Sequence, residues 1–256
     1  PFLSSKRLEL GFGIAQIEDR YFQNNVIDFD KDKYDKSGYR LFGGSVSFNG
    51  STLNSRQFPI QGAREALVAQ IFTGNESFRP GVNSENKKPV KEKHSWLQLS
   101  YMKEKYHKMG ANWILGWYLD AVYASKNFSE NYTATMMQAS EFAPTAHSKL
   151  TYNEAFRANQ YVAAGIRPIY RLNQMFHVRG EFYGFLPIFP IERNSINKAY
   201  YGKAFSRFEY LGEISVVCQL PFGAISAYVN HYSSPRREWN VGLTLGWQLF
   251  NYRFIE

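Results

Sequence analysis

The sequence predicts an all-β fold, a transmembrane antiparallel β-barrel, and three observations carry that prediction. Residues 239–249 alternate strictly between apolar side chains and small or polar ones, which is the period of two that a strand requires. The segment matches the roughly 9–11 residues with which a tilted strand crosses a bilayer. Along the rest of the chain, long and short polar connections take turns, as they do in outer-membrane barrels.

Composition is consistent with a barrel of 256 residues. The mean hydropathy of −0.42 is polar, but barrel strands average to a polar value because alternate residues face water. No run of eighteen apolar residues is present, so a helical membrane span is not expected. Aromatic residues make up 17% of the chain, and they favour both strands and membrane interfaces. The single cysteine, Cys218, excludes an internal disulfide framework and a multi-cysteine metal site.

The net charge of +8 does not by itself indicate nucleic acid. The lysines between 31 and 36 and between 87 and 93 lie among acidic residues in polar segments, so we interpret them as solvated loop charge. We expect no nucleic-acid partner and no cofactor.

Ten strands are predicted from the alternation of apolar and polar residues. They cover residues 8–14, 41–49, 65–73, 97–101, 113–121, 160–171, 176–184, 210–219, 225–229 and 239–249. The long connections are 18–37, 74–94, 125–159, 187–206 and 231–238, and the short ones are 50–62, 108–111, 173–175 and 221–223. In outer-membrane barrels the short turns are periplasmic and the long loops extracellular.

The alternation assigns side chains to two faces. The residues predicted to face lipid are Trp117, Phe182, Ile214, Leu243 and Leu245, and the interfacial aromatic residues are Trp113, Trp239 and Trp247. The residues predicted to face the lumen include Arg179, Glu181, Glu213 and Thr244. A soluble β-sandwich is the less favoured alternative, because its interior would have to accommodate several of these charges.

Chemistry-bearing motifs are scarce. A serine hydrolase of this kind needs a nucleophilic serine in Gly-x-Ser-x-Gly on a tight elbow, and the nearest segment, 43–47, lies inside a predicted strand and lacks the second glycine. Asp28, Asp30 and Asp32 have the spacing that begins a calcium loop but lack its glycine and terminal glutamate, which favours an ordinary charged loop. The five histidines show no metal-ligand spacing, so no metal site is predicted.

Four segments resemble a known family: 54–62 (NSRQFPIQG), 156–165 (FRANQYVAAG), 202–206 (GKAFS) and 246–251 (GWQLFN). They are similar to the C-terminal barrel of Bacteroidetes patatin-like outer-membrane proteins, a BamA-type surface-antigen domain. The resemblance spans nearly the whole chain and implies that residues 1–256 form one outer-membrane barrel domain, the C-terminal portion of a longer protein. Barrels of this type have sixteen strands, so the ten predicted here correspond to the last ten.

The resemblance also implies one structural pair in the lumen. In the family, an arginine of the sixth extracellular loop folds into the barrel and pairs with an acidic residue of the thirteenth strand. By order along the chain these are Arg157, in the loop 125–159, and Glu181, with Glu213 and Asp120 as rival acceptors. The family's motif is incomplete here, because Arg157 is followed by alanine and asparagine.

Three classes of function follow from the sequence and the resemblance. The first is an integral outer-membrane barrel that anchors or translocates an upstream patatin-like phospholipase, a serine lipid acyl hydrolase. The second is a non-catalytic barrel or pore subunit of a larger outer-membrane complex. The third is an enzyme with its site in the barrel itself, which would need a serine and a histidine at one level of the outer face, and no such pair is evident. The expected partners are outer-membrane lipid, the barrel-assembly machinery during insertion, and other outer-membrane proteins.

Overall fold

The computed structural model describes residues 6–22, 34–81, 84, 88–221, 223–233 and 239–247. These residues contain twelve strands: β1 Arg7–Tyr21, β2 Asp35–Ser51, β3 Gly62–Arg79, β4 Val90–Lys108, β5 Trp113–Ala124, β6 Gln160–Arg171, β7 Phe176–Pro187, β8 Ile191–Arg193, β9 Ala199–Tyr201, β10 Glu209–Leu220, β11 Gly223–Tyr232 and β12 Trp239–Trp247. A short helix, α1 (Tyr132–Gln138), and a 3-10 turn, Glu154–Phe156, lie between β5 and β6. No helix among the described residues is long and apolar enough to cross a membrane.

Ten of the strands form one sheet in the order β1-β2-β3-β4-β5-β6-β7-β10-β11-β12, and all neighbours are antiparallel. Strands β8 and β9 pair with each other as a separate hairpin. The predicted all-β, ten-stranded antiparallel architecture is therefore confirmed. Strands β1 and β12 are the two edges of the sheet, and they are not paired with each other in the described residues. Closure into a barrel stays a prediction.

The first four strands are longer than predicted. They have 15 to 19 residues and extend into the segments 18–37 and 74–94. The predicted boundaries of those two loops are therefore wrong. The apolar alternation stops there, but the strands continue because polar side chains such as Glu76 and His94 are buried on one face. The predicted loop 187–206 likewise contains the small hairpin of β8 and β9.

The two faces of the sheet differ sharply. One face carries the buried side chains and is called the inner face; the opposite, exposed face is called the outer face. In β10, for example, Glu209, Leu211 and Glu213 are buried while Tyr210 and Ile214 are exposed. Two connecting segments cover the inner face. The inner turn, residues 52–61, joins β2 to β3, and the inner loop, residues 125–159, joins β5 to β6.

The sheet curls around these two segments. The inner turn leaves β2, yet Ser55 accepts a hydrogen bond from Gln219 of β10 over 3.4 Å, and the carbonyl of Pro59 accepts one from Arg179 of β7 over 2.8 Å. The inner loop is hydrogen-bonded to β1 through Asn131 and to β11 through His147. Strands from distant parts of the sheet are thereby brought to common partners.

Glycine on one strand meets an aromatic ring on the next at four places on the inner face. The directly opposed pairs are Gly43 with Phe72, Gly116 with Tyr106, Gly165 with Tyr183 and Gly242 with Tyr228. In each pair a Cβ on the glycine would lie within 3.0 Å of the ring. The rings therefore lie across the glycine backbones, which lets large inner side chains pack flat on a curved sheet.

Candidate functional site

Four buried charges and two tyrosines occupy the middle of the inner face. This inner ion cluster consists of Glu104 and Tyr106 of β4, Arg167 of β6, and Arg179, Glu181 and Tyr183 of β7. Two guanidinium groups face two carboxylates, so the cluster is balanced in charge. Balance is required because an unpaired ion in this environment would be very costly.

The inner ion cluster is fully interconnected. Arg167 donates to the Glu104 carboxylate, to the Tyr106 hydroxyl over 2.6 Å and to the Tyr183 hydroxyl over 2.7 Å. Arg179 donates to the Glu181 carboxylate and to the Tyr106 hydroxyl, the latter over 3.0 Å, and Tyr183 also donates to Glu181. Since the charged groups satisfy one another, the cluster provides structure rather than a free base or nucleophile.

The inner turn is built to rest on this cluster. The Asn54 side-chain oxygen accepts from the backbone N–H groups of Ile60 and Gln61, both over 3.0 Å, which closes the turn. Leu53 and Ile60 pack on the buried side chains of Tyr106, Ile114 and Ile169. At the end of the turn Gly62 has φ 94°, and a Cβ there would lie 2.1 Å from a backbone oxygen, so only glycine fits.

The inner loop packs against the inner face of the curved sheet. Its helix α1 is capped by Asn131, whose side-chain oxygen accepts from the Ala134 N–H over 2.9 Å. Farther along, Phe142, Ala155 and Phe156 pack into an apolar core with residues of β5, β6, β7, β10 and β11. The sequence-based expectation that this loop folds inward agrees with these contacts.

Arg157 does not pair with Glu181, and the pairing implied by the resemblance is wrong in this structure. One Nη of Arg157 donates to the Glu141 carboxylate over 2.7 Å, and the other donates to the carbonyls of Met137 and Ala139 at the end of α1 over 3.0 and 3.3 Å. A cation at a helix C-terminus is favourable because it satisfies exposed carbonyls. Glu181 is already engaged by Arg179 and Tyr183.

The two rival acceptors do not contact Arg157 either. Asp120 accepts from the Tyr118 hydroxyl over 3.1 Å, and Glu213 accepts from the Asn230 amide over 3.3 Å. Arg157 instead connects the end of α1 to Glu141 within the inner loop. Backbone hydrogen bonds from Phe142 to Phe156 and from Ala158 to Ser140 flank it, and they fix the distance between Arg157 and Glu141.

A second polar cluster lies where the inner loop meets β2, β3 and β4. Glu76 accepts from His94 over 2.8 Å and from the Tyr39 hydroxyl over 3.3 Å, and the Tyr39 hydroxyl also bonds the Ser129 hydroxyl over 2.9 Å. Close by, burial lowers the pKa of Lys126 to about 8. These residues attach the loop to the long ends of β2–β4, and sequence reasoning missed them because they come from strand extensions that it assigned to loops.

Glu76, Glu92 and His94 have ligand atoms within 4.8 Å of one another. Strand register brings them together, since Glu76 is opposite Glu92 and Gly74 is opposite His94. The Glu76 carboxylate already accepts the hydrogen bonds just described, together with one from the Glu130 backbone N–H over 3.4 Å. We therefore assign the cluster as an attachment of the inner loop.

A cavity of about 240 Å3 separates the inner turn from the tip of the inner loop. Arg56, Lys149, Arg167, Arg179, Glu181 and Glu213 are among its lining residues. Arg56 of the inner turn and Lys149 of the inner loop thus line the same cavity as the charged residues of the sheet.

The residues predicted to face lipid lie on the outer face. Phe182, Ile214, Leu243 and Leu245 are exposed, and Trp117 is half-buried in the same alternating row as Trp113 and Leu115. Arg179, Glu181 and Glu213 are buried on the inner face, and Thr244 is half-buried there.

Two of the predicted interfacial tryptophans lie in aromatic pairs. The rings of Trp113 and Tyr170 are 4.9 Å apart, and those of His231 and Trp239 are 4.8 Å apart. The side chain of Trp247 and residues Asp28, Asp30 and Asp32 lie outside the described part of the chain. The segment 43–47 lies within β2, so it forms no strand-to-helix elbow.

Comparison with known families found no family model that matches this chain. A search of curated proteins likewise found no matching relative.

Proposed function

We propose that this chain is an integral β-barrel domain of an outer membrane and that it anchors a neighbouring domain there. The observation that carries the proposal is a band of exposed apolar side chains on the outer face. On β1 alone, Leu8, Leu10, Phe12 and Ile14 are 68% to 85% exposed. A contiguous apolar surface of this kind favours a lipid environment over water.

The height of the band fits a bilayer. On β3 the apolar residues between Leu67 and Ile71 are bounded by Glu65 and Asn75, which are opposite Lys103 and Lys93 of β4. The two boundaries are ten residues apart, or about 33 Å along a strand. A strand tilt of 35–45° reduces this to about 23–27 Å along the barrel axis, against an apolar band of about 25 Å in known barrels.

The short connections place one end of the sheet on the periplasmic side in this proposal. Arg7 lies at that end, because β1 runs from there toward the long connection between β1 and β2. A domain that precedes β1 would therefore emerge in the periplasm. The resemblance to patatin-like outer-membrane proteins suggests that this domain is a patatin-like phospholipase.

Further strands at the β1 edge would complete the barrel in the way that the resemblance implies. The exposure of β1 supports this part of the proposal. On its inner side Arg7, Glu9, Gly13 and Ala15 are also exposed. Such an edge is suited to pairing with another strand.

A pore subunit of a larger outer-membrane complex is the second candidate. The filled interior favours an anchor over a pore. The inner turn and the inner loop both cover the inner face, and they contact strands as far apart in the sheet as β1, β7 and β11. Conductance across a planar bilayer separates the two candidates. An anchor is expected to give no steady open current, whereas a stable ohmic current at low voltage would favour the pore.

The membrane assignment is tested by fluorescence quenching. Single cysteines at Leu243 and Thr244, placed in a Cys218→Ala background and labelled with an environment-sensitive dye, sample opposite faces of β12. Brominated acyl chains are expected to quench the dye at 243 and to spare it at 244. Equal quenching at both positions would contradict a membrane-spanning strand.

Anchoring is tested with a soluble reporter enzyme fused before residue 1. The fusion is expected to fractionate with outer membranes and to resist carbonate extraction, while a matched fusion without residues 239–247 is not. Recovery of the intact fusion in the soluble fraction would contradict the anchor.

A further inference from the structure

A cluster of cations lies on the outer face at the end of the sheet with the long connections. It consists of Lys36 and Arg40 of β2, Arg79 of β3, and Lys91 and Lys93 of β4. Strand register brings these residues together across three strands: Arg40 is opposite Asn75, which is opposite Lys93, and Lys36 is opposite Arg79. Opposed side chains on neighbouring strands have Cβ atoms about 5 Å apart, so the five cations form one patch.

Most of this charge is not neutralised. No ion pair or side-chain hydrogen bond involves Arg40, Arg79, Lys91 or Lys93 within the part of the chain that the structure describes. The nearby carboxylate of Glu18 is engaged by Arg20 over 2.6 Å. Glu18 and Glu92 also line the groove, but among the described residues neither forms an ion pair with any of these four cations.

The patch surrounds a groove with small residues at its centre. Gly38 and Ser77 are opposite each other between the rows of cations, and a Cβ at Gly38 would meet only backbone oxygens 3.8 Å or more away. The groove has a volume of about 700 Å3, with Lys36, Arg40, Arg79, Lys91 and Lys93 among its lining residues. It can therefore admit a group larger than a single ion.

The apolar band begins at the next outer-face residue on β2 and one position farther, beyond Thr73 and Ser95, on β3 and β4. Phe42 follows Arg40 on the outer face of β2, Ile71 lies beyond Asn75 on β3, and Leu97 lies beyond Lys93 on β4, and all three are exposed. A molecule that fills both regions must carry negative charge at one end and an apolar chain at the other.

We propose that this groove binds the phosphate-bearing headgroup of a membrane lipid whose acyl chains lie along the outer face of β1–β4. Guanidinium and ammonium groups are the usual partners of phosphate, and basic clusters at the edge of an apolar membrane surface recognise anionic lipids. A soluble phosphate would use the cations but not the apolar band, so the continuity of the two regions favours the lipid. The inference rests on the proposed membrane location.

The test is lipid binding to the purified chain in zwitterionic detergent, measured by native mass spectrometry with phosphatidic acid and with phosphatidylcholine as probes. The variant Arg40→Gln/Lys93→Gln removes two cations of the groove. The control, Lys103→Gln/Lys105→Gln, removes two outer-face cations of β4 at the opposite end of the band, where Lys103 is paired with Glu65 over 3.2 Å. Heat-modifiable gel mobility verifies that both variants fold.

We expect a preference for phosphatidic acid that weakens by about fivefold for each cation removed from the groove, with no change in the control. Equal weakening in both variants, or no preference in the unmodified chain, would overturn the proposal. Displacement of the lipid by inorganic phosphate at similar concentration would also overturn it, because the apolar band would then contribute nothing. Dye quenching on β12 reports membrane location independently, so a failure of lipid binding is distinguishable from a failure of the proposed function.

Discussion

The side-chain amide of Asn131 donates to the hydroxyl of Tyr21 over 2.8 Å, and these residues are 110 positions apart. The same asparagine caps α1 through its oxygen, and the Tyr21 hydroxyl is also hydrogen-bonded to Ser37 over 2.9 Å. One side chain thus starts the helix of the inner loop and fixes that helix to the first strand of the sheet.

Replacing Asn131 should loosen the inner loop. Asn131→Ala removes both the cap and the bond to Tyr21, and we expect a loss of about 1–2 kcal/mol in the free energy of unfolding and faster proteolysis within 125–159. Tyr21→Phe is the matched control, since it removes the inter-element bond but keeps the cap, and its effect should be smaller. A variant Asn131→Ala with unchanged proteolysis would contradict the attachment.

Arg157 and Glu141 should be energetically coupled, and Arg157 and Glu181 should not. A double-mutant cycle with Arg157→Gln and Glu141→Gln is expected to give a coupling of about 1 kcal/mol, because the pair is charge-assisted but partly solvated. The cycle with Glu181→Gln serves as the control, and its two single effects should add. Coupling found only with Glu181 would restore the pairing implied by the family resemblance.

Gly165→Ala should destabilise the sheet, whereas Gly13→Ala should not. A Cβ at Gly165 would lie 2.2 Å from the Tyr183 ring, while nothing lies within 4 Å of a Cβ at Gly13. Displacing the ring also disturbs the bonds of Tyr183 to Arg167 and Glu181, so we expect a loss of about 1–3 kcal/mol. Urea unfolding of the two variants measures the difference, and equal stabilities would argue against the packed ring.

Acid should weaken the contact between the inner loop and β11. The imidazole Nδ1 of His147 is 2.9 Å from the Tyr232 hydroxyl, and burial lowers the pKa of His147. The unfolded chain, with an imidazole pKa near 6.5, then binds more protons than the folded chain between the two pKa values. Stability from this site is therefore complete above about pH 6.5 and is lost as the pH falls toward the folded pKa.

Urea unfolding of the unmodified chain and of His147→Gln, compared above and below this pH, measures that effect. The variant should lose less stability on acidification. His107→Gln, which changes an exposed histidine of β4, is the control and should leave the dependence on pH as it is. Identical pH profiles for His147→Gln and the unmodified chain would contradict the prediction.

The alternation of apolar and polar residues was sufficient to predict ten strands and their faces. Wherever one face of a strand is apolar and exposed, as at Phe182 or Leu243, the period of two is visible in the sequence. At the ends of β2–β4 the inner residues are polar, like Glu76 and His94, and their burial depends on a loop that lies far away in sequence. No local pattern marks such a strand extension.

The partner of Arg157 could not be predicted for a related reason. Its position depends on how residues 140–142 and 156–158 hydrogen-bond within the inner loop, and no periodicity indicates that pairing. Similarly, the segment 54–62 was notable in the sequence only as part of a resemblance. Its contact with Arg179 depends on the curvature of the whole sheet.

The unequal lengths of the strands give the molecule a slanted rim. Within the described residues, strands β2–β4 have 17 to 19 residues and β10 and β11 have 12 and 10, so one wall is about 23 Å longer along the strand direction. In a membrane, much of the excess would stand above the headgroups on one side only. A molecule approaching the membrane from that side would meet the ends of β2–β4 before it met the ends of β10 and β11.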